Sequence, residues 1–158
     1  PAGYLGITHA PWVILDRHNQ REAEMQNIDQ YEAQRALKKE SDQITPGDLD
    51  RVLETQDKIE QKVAGSSRLK RFMGDIKLMF AMLKDYWQGN YRSVPWLSIA
   101  AIAGALLYVL NPLDLIPDII FIFGLMDDAT VMAACLAMVR RDLNAYQAWK
   151  SNQEARDV

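Results

Sequence analysis

The sequence predicts an all-α protein, a helical bundle whose C-terminal part holds an apolar helical hairpin joined by an acidic, Pro-bounded turn. Three observations carry this. From Gln20 to Glu40 neither Gly nor Pro interrupts a run rich in Glu, Gln, Arg, Lys and Ala, all good helix formers. Further on, Leu69, Phe72, Met73, Ile76, Phe80, Leu83 and Trp87 recur at spacings of three and four, the period of one helix face. Finally, Val94 to Leu110 is a stretch of 17 residues without a charge, apolar around the whole helical circumference, so such a helix must be buried on every side.

The chain of 158 residues is long enough for one domain with a real core and short for two. Its formal net charge of −3 conceals an asymmetry. Residues 20–60 carry 11 acids and 6 bases, a balance of −5, whereas residues 62–92 carry 7 bases and 2 acids, a balance of +5. The lone Cys135 rules out an internal disulfide. The opening Pro1–Ile7 lacks the basic, apolar, small-residue order of a secretory signal, so the expectation is a chain retained in the cytoplasm or inserted without cleavage.

Each element follows in order. Residues 1–19, with two prolines, two glycines and the apolar patch Trp12 to Leu15, suit an extended lead or a mobile terminus. Residues 20–64 read as an acidic helical arm. Met25, Ile28, Tyr31 and Leu37 give its first helix only a thin apolar stripe. A second start lies at Thr45-Pro46-Gly47-Asp48, where Thr45 can cap, Pro46 suits the first helical position and Asp48 sits in the first turn. Leu49, Val52, Leu53, Ile59 and Val63 then mark one face of a helix that runs to Gly65.

The domain proper spans residues 66–150. Its first helix is basic and amphipathic: Arg68, Lys70, Arg71, Lys77 and Lys84 lie opposite the apolar face. A helix of this kind can rest on an anionic membrane surface with Tyr86, Trp87, Tyr91 and Trp96 at headgroup depth, or can form one wall of a bundle with its lysines in water. The uncharged helix follows, at about 1.5 Å per residue just short of a typical ~30 Å hydrocarbon core. Its Ala100, Ala101, Ala103, Gly104 and Ala105 would let a neighbouring helix approach closely, as in membrane helix pairs. Residues 119–139 have the length of a second span, yet Asp127 and Asp128 near the middle make one doubtful. A break at Gly124 suits them better, with Asp127 capping a final helix from about Asp128 to Trp149. Val131 or Met132, Cys135 or Leu136, Val139, Leu143 and Tyr146 form its apolar face, and residues 151–158 are a tail.

The run Asn111-Pro112-Leu113-Asp114-Leu115-Ile116-Pro117-Asp118, followed by Gly124-Leu125-Met126-Asp127-Asp128, closely resembles the signature of the YkvA-like (DUF1232) proteins, small bacterial membrane proteins of unknown function. Asn111 stands where that family often has Ser, and Phe121 where it often has a further proline. The resemblance covers roughly residues 95–135. It implies membrane association, with the bacterial inner membrane as the setting, and supplies no catalytic assignment.

Three readings of the motif acids stay open. Asp127 and Asp128 can cap and favour the start of the last helix while Asp114 and Asp118 satisfy backbone donors in a turn set by Pro112 and Pro117. The acids can instead pair with Arg140 or Arg141, or converge on a hard cation such as Mg²⁺ or Ca²⁺. No catalytic residue is assigned. His9 and His18 make no multi-histidine zinc set, Cys135 has no evident local base, and there is no glycine-rich phosphate loop or nucleic-acid module.

The expected function is therefore a non-enzymatic membrane-associated scaffold or accessory subunit needing no cofactor. Lipid is contacted through the hairpin and the basic side chains, and a protein partner or second copy through residues 20–63. Positive residues on both sides of the hairpin place both flanks in the cytoplasm. The alternatives are a membrane enzyme or cation- or proton-handling protein centred on the aspartates, and a soluble helical-bundle interaction protein.

Overall fold

The computed structural model describes residues 11–110 and 128–158, all of it helix, turn or loop. The all-α expectation holds. The first helix, α1 (Pro11–Ser41), begins inside the segment expected to be extended. A proline is pre-organised for a helical first position because its fixed φ suits the helix and its missing N–H would have had no partner there. Met25, Ile28 and Tyr31 are exposed, whereas Ala33, Ala36 and Leu37 are buried, and α1 packs on the two C-terminal helices.

Two short helices follow, α2 (Pro46–Glu54) and α3 (Gln56–Ala64), where the apolar pattern predicts one. At the start of α2 the Asp48 carboxylate accepts from the Thr45 N–H at 2.8 Å and from its hydroxyl at 2.7 Å, the acidic half of a capping box. The break falls at Thr55. Its hydroxyl donates to the carbonyls of Arg51 and Val52, at 3.1 and 3.0 Å, and its N–H bonds to Val52 three residues back rather than four. A threonine side chain that competes for its own helix's carbonyls bends or ends the helix, a local effect that hydrophobic periodicity does not carry. Leu49, Val52, Ile59 and Val63 stay buried across the break, so both short helices belong to the common core. Of the expected acidic arm, only the first part of α1 stands away from that core.

A 3-10 turn at Lys70–Phe72 leads into α4 (Met73–Gln88), with the Ser66 hydroxyl accepting from the Leu69 N–H at 3.2 Å. The helix ends at Gly89, whose φ of 82° is left-handed. There the Asn90 N–H returns to the Asp85 carbonyl at 2.9 Å, a glycine-closed terminus that satisfies carbonyls otherwise left open.

The uncharged helix, α5 (Trp96–Leu110), is the axis of the molecule: every residue from Ser98 to Val109 is buried. It touches α1, α2, α3, α4 and the last helix, α6 (Asp128–Arg156). The predicted alternatives on α6 resolve to both, since Val131, Met132, Cys135, Leu136, Val139, Leu143 and Tyr146 are all buried. The Cys135 thiol lies 3.6 Å from the Ala101 carbonyl and the Ser98 hydroxyl donates to Asp142. As the contact moves forward along α5 it moves back along α6, so the two helices form an antiparallel hairpin.

Protein, rather than lipid, covers the apolar circumference of α5. Its 15 residues reach about 22 Å at ~1.5 Å each, less than the ~30 Å of hydrocarbon a span must cross. No helix among the described residues is long and apolar enough to cross a membrane. Its composition fits the central place it holds among the described helices.

Candidate functional site

Of the predicted motif residues, Pro112, Asp114, Pro117, Asp118, Gly124 and Asp127 lie outside the described residues. Asp128 is the first residue of α6 and is half-buried, placing a carboxylate in the first turn, where the helix dipole favours it. Arg140, offered as a partner for the motif acids, is bound elsewhere: its guanidinium meets Asp75 of α4 at 2.8 Å. Arg141 is exposed. Among the described residues no three His, Cys, Asp or Glu side chains are grouped as metal ligands.

The basic residues divide by environment. Arg68, Lys70, Arg71, Lys77 and Lys84 are exposed, with the Arg71 guanidinium 4.6 Å from the centre of the Phe72 ring. Lys77 and Lys84 are seven residues apart and Trp87 follows after three more, so the three share one face of α4. Trp87 is 44% exposed, and Trp96 and Leu97, in the first turn of α5, are each 38% exposed. Large apolar side chains open to solvent are the notable feature of this edge, because buried cores leave few such groups together.

Behind the two tryptophans lies an open groove of about 560 Å³. Ile44, Pro46 and Leu49 form one wall and Tyr86, Trp87 and Trp96 the other, with Arg92 at the rim. The Arg92 guanidinium lies 4.4 Å from the centre of the Tyr86 ring. Stacking uses the face of a guanidinium and leaves its N–H edge free to donate. Tyr86 also meets Trp96 at 6.3 Å between ring centres. The sequence reading placed the aromatics at this edge but did not single out Arg92, and it missed the far wall, which comes from the turn before α2. The cluster of aromatics flanking Arg92 was the available signal.

A second polar centre sits at the end of α4. The Asp85 carboxylate accepts from the Tyr146 hydroxyl at 2.5 Å, the Lys150 ammonium at 3.1 Å and the Asn90 amide at 3.3 Å. Burial alone pushes this carboxyl up, but the hydrogen bonds from Tyr146, Asn90 and Lys150, with the Lys150 charge, outweigh it and hold Asp85 below its ordinary range. The same contact, together with burial as the larger cause, raises the Tyr146 phenol. The rings of Tyr91, Tyr146 and Trp149 pack against one another with centres 4.9 to 5.7 Å apart, Tyr146 stacked on Trp149 and Tyr91 edge-on to Tyr146. A carboxylate held ionised by three donors ties α4 to α6; it is a poor proton acceptor. The Cys135 thiol is fully buried and pushed up to about 12, so it remains a thiol at neutral pH and packs as a small apolar group.

The fold and these sites define a class: an all-α bundle built on an antiparallel pair of helices, α5 and α6, with exposed aromatic side chains at one edge. A family model described as a protein of unknown function (DUF1232) matches residues 98–134. The chain is 32% identical over 81 residues to the uncharacterized membrane protein YkvA of Bacillus subtilis (strain 168), a match covering 51% of this chain and 76% of that protein. The chain belongs to this YkvA-like family. No solved structure matches it.

Proposed function

We propose that this protein is a non-enzymatic scaffold or accessory subunit bound at a membrane surface through the edge formed by α4 and the start of α5. The observation that carries the reading is the exposure of Trp87, Trp96 and Leu97, with the exposed Lys84 one helical turn before Trp87 on α4. Indole rings favour the headgroup region and lysines favour an anionic leaflet at about 1 kcal/mol each. The name of the Bacillus relative, a membrane protein, supports the same location. Attachment is peripheral, from the cytoplasmic side, which leaves both flanks of the hairpin in the cytoplasm. The exposed Met25, Ile28 and Tyr31 of α1, on a segment whose acids an anionic leaflet would repel, serve a protein partner or a second copy.

Flotation with vesicles of phosphatidylglycerol and phosphatidylcholine tests the membrane reading. Binding should require the anionic lipid and weaken with salt. The double variant Lys77→Gln/Lys84→Gln should lower partitioning by about thirtyfold, two contributions of ~1 kcal/mol. Native membranes should release the protein in alkaline carbonate. Retention there would replace peripheral attachment with insertion, and binding indifferent to lipid charge would remove the electrostatic half of the argument.

A further inference from the structure

The groove behind Trp87 and Trp96 has a composition that a plain surface contact does not require. Its walls are apolar and aromatic, yet its rim carries a guanidinium, and no carboxylate among the described residues pairs with Arg92. A guanidinium stacked on a ring has lost part of its conformational freedom, so little more is lost when an anion binds its N–H edge. Such a site is complementary to a molecule with a phosphate at one end and methylenes beside it. The volume of about 560 Å³ falls within the ~300–1,000 Å³ typical of small-molecule sites. It is ample for a headgroup and the first part of its acyl chains, and too small for a whole lipid.

We infer that this groove seats the headgroup of a single anionic phospholipid, its phosphate on Arg92 and its proximal methylenes against Trp87, Trp96 and Pro46. The assignment rests on the membrane reading and deepens it, because α4 lysines give general attraction to a charged surface whereas Arg92 with its aromatic walls binds one lipid at a fixed place. A lipid fits better than an acidic peptide on two grounds. Exposed tryptophans flank the mouth of the groove, so an occupant can continue from it into a bilayer. The exposed Lys84 also stands one helical turn before Trp87 on α4, at one side of that mouth.

A soluble short-chain lipid separates the two claims. The full chain is titrated with dihexanoyl-phosphatidylglycerol below its micelle concentration, and in parallel with dihexanoyl-phosphatidylcholine and with glycerol phosphate. The readout is the indole N–H resonances, assigned through Trp87→Phe and Trp96→Phe. Phosphatidylglycerol should shift Trp87 and Trp96 saturably and leave Trp149, which lies beyond the groove, unmoved. Arg92→Gln should weaken that binding by about tenfold, the loss expected for one charge-assisted contact, and abolish the preference over phosphatidylcholine. Lys58→Gln, an equal change of charge on α3, should leave the affinity unchanged.

Equal binding of phosphatidylcholine, or of glycerol phosphate without its chains, would overturn the assignment. So would indole shifts that grow with protein concentration in the absence of lipid, which would give the groove to a protein occupant. If vesicle binding persists, is unaffected by Arg92→Gln, and no short-chain lipid binds, the groove assignment fails and the membrane reading stands. If the short-chain lipid binds but vesicles do not, the groove stands and the membrane reading fails.

Discussion

The glycines of α4 show how position decides what one side chain does. A Cβ at Gly74 would meet nothing within 4 Å, whereas Gly89 holds a left-handed φ of 82°. Gly74→Ala should therefore stabilise the protein by about 0.5–1 kcal/mol, by lowering the entropy of the unfolded chain and raising helix propensity. Gly89→Ala should destabilise it by roughly 1–2 kcal/mol, since an L side chain clashes in that conformation. Urea unfolding of the two variants checks both signs, and a stabilising Gly89→Ala would mean that this terminus does not need the left-handed turn. Little at this scale was legible beforehand. The helix start at Thr45 was readable, with Asp48 expected only as a first-turn acid rather than as the acceptor for Thr45, but the union of Asp85 with Tyr146 and Lys150 spans 61 and 65 residues. No local pattern marks a polar pair that meets only after two helices have packed.

Elements were more legible than contacts because helix periodicity is a local property and partner choice is not. The apolar face of α6 was readable except for two either-or positions that both proved buried, while the Thr55 break was hidden inside an uninterrupted apolar pattern. The surroundings of α5 were not legible for a related reason. An all-round apolar helix is equally at home among lipids and among five other helices, and composition alone cannot separate those surroundings. For α1 the thin stripe proved informative: Leu37 found the core, and Met25, Ile28 and Tyr31 did not. Ile28→Glu should accordingly leave the unfolding midpoint within about 0.5 kcal/mol of the parent, as for exposed sites generally. It should also abolish a self-association or co-purifying partner that depends on α1. Sedimentation velocity of the purified variant and parent follows the first case, and an unchanged association would move the partner site elsewhere.

At the scale of the whole molecule, the coupling of the hairpin to α4 through titratable groups makes stability a function of pH with two limbs. Asp85 has its folded pKa below the ordinary 3.8, so its contribution is present above that value and is lost as pH falls through the lower, folded one. The groups that matter on the alkaline side are displaced in the opposite direction. Burial raises Cys135 from 9.0 to about 12, and burial, then the Asp85 contact, raises Tyr146 from 10.0. Burial and then the charge of Asp142 also raise Tyr91. Each stabilises fully below its unfolded pKa and loses that contribution as pH climbs toward the folded value, because the unfolded chain releases the proton first. Stability should hold through neutral pH and fall from about pH 9 upward, steepening by ~1.4 kcal/mol per pH unit for each group that titrates only when unfolded. Chemical denaturation from pH 3 to 11 traces both limbs, and two variants apportion the upper one. Cys135→Ala should flatten the slope that begins near pH 9, and Tyr146→Phe the part that begins near pH 10, although both start from lower stability at neutral pH. An alkaline limb unchanged in both variants would mean that these groups titrate alike in the folded and unfolded chains, and that the packing of α6 against α4 and α5 does not exclude water as its buried surface implies.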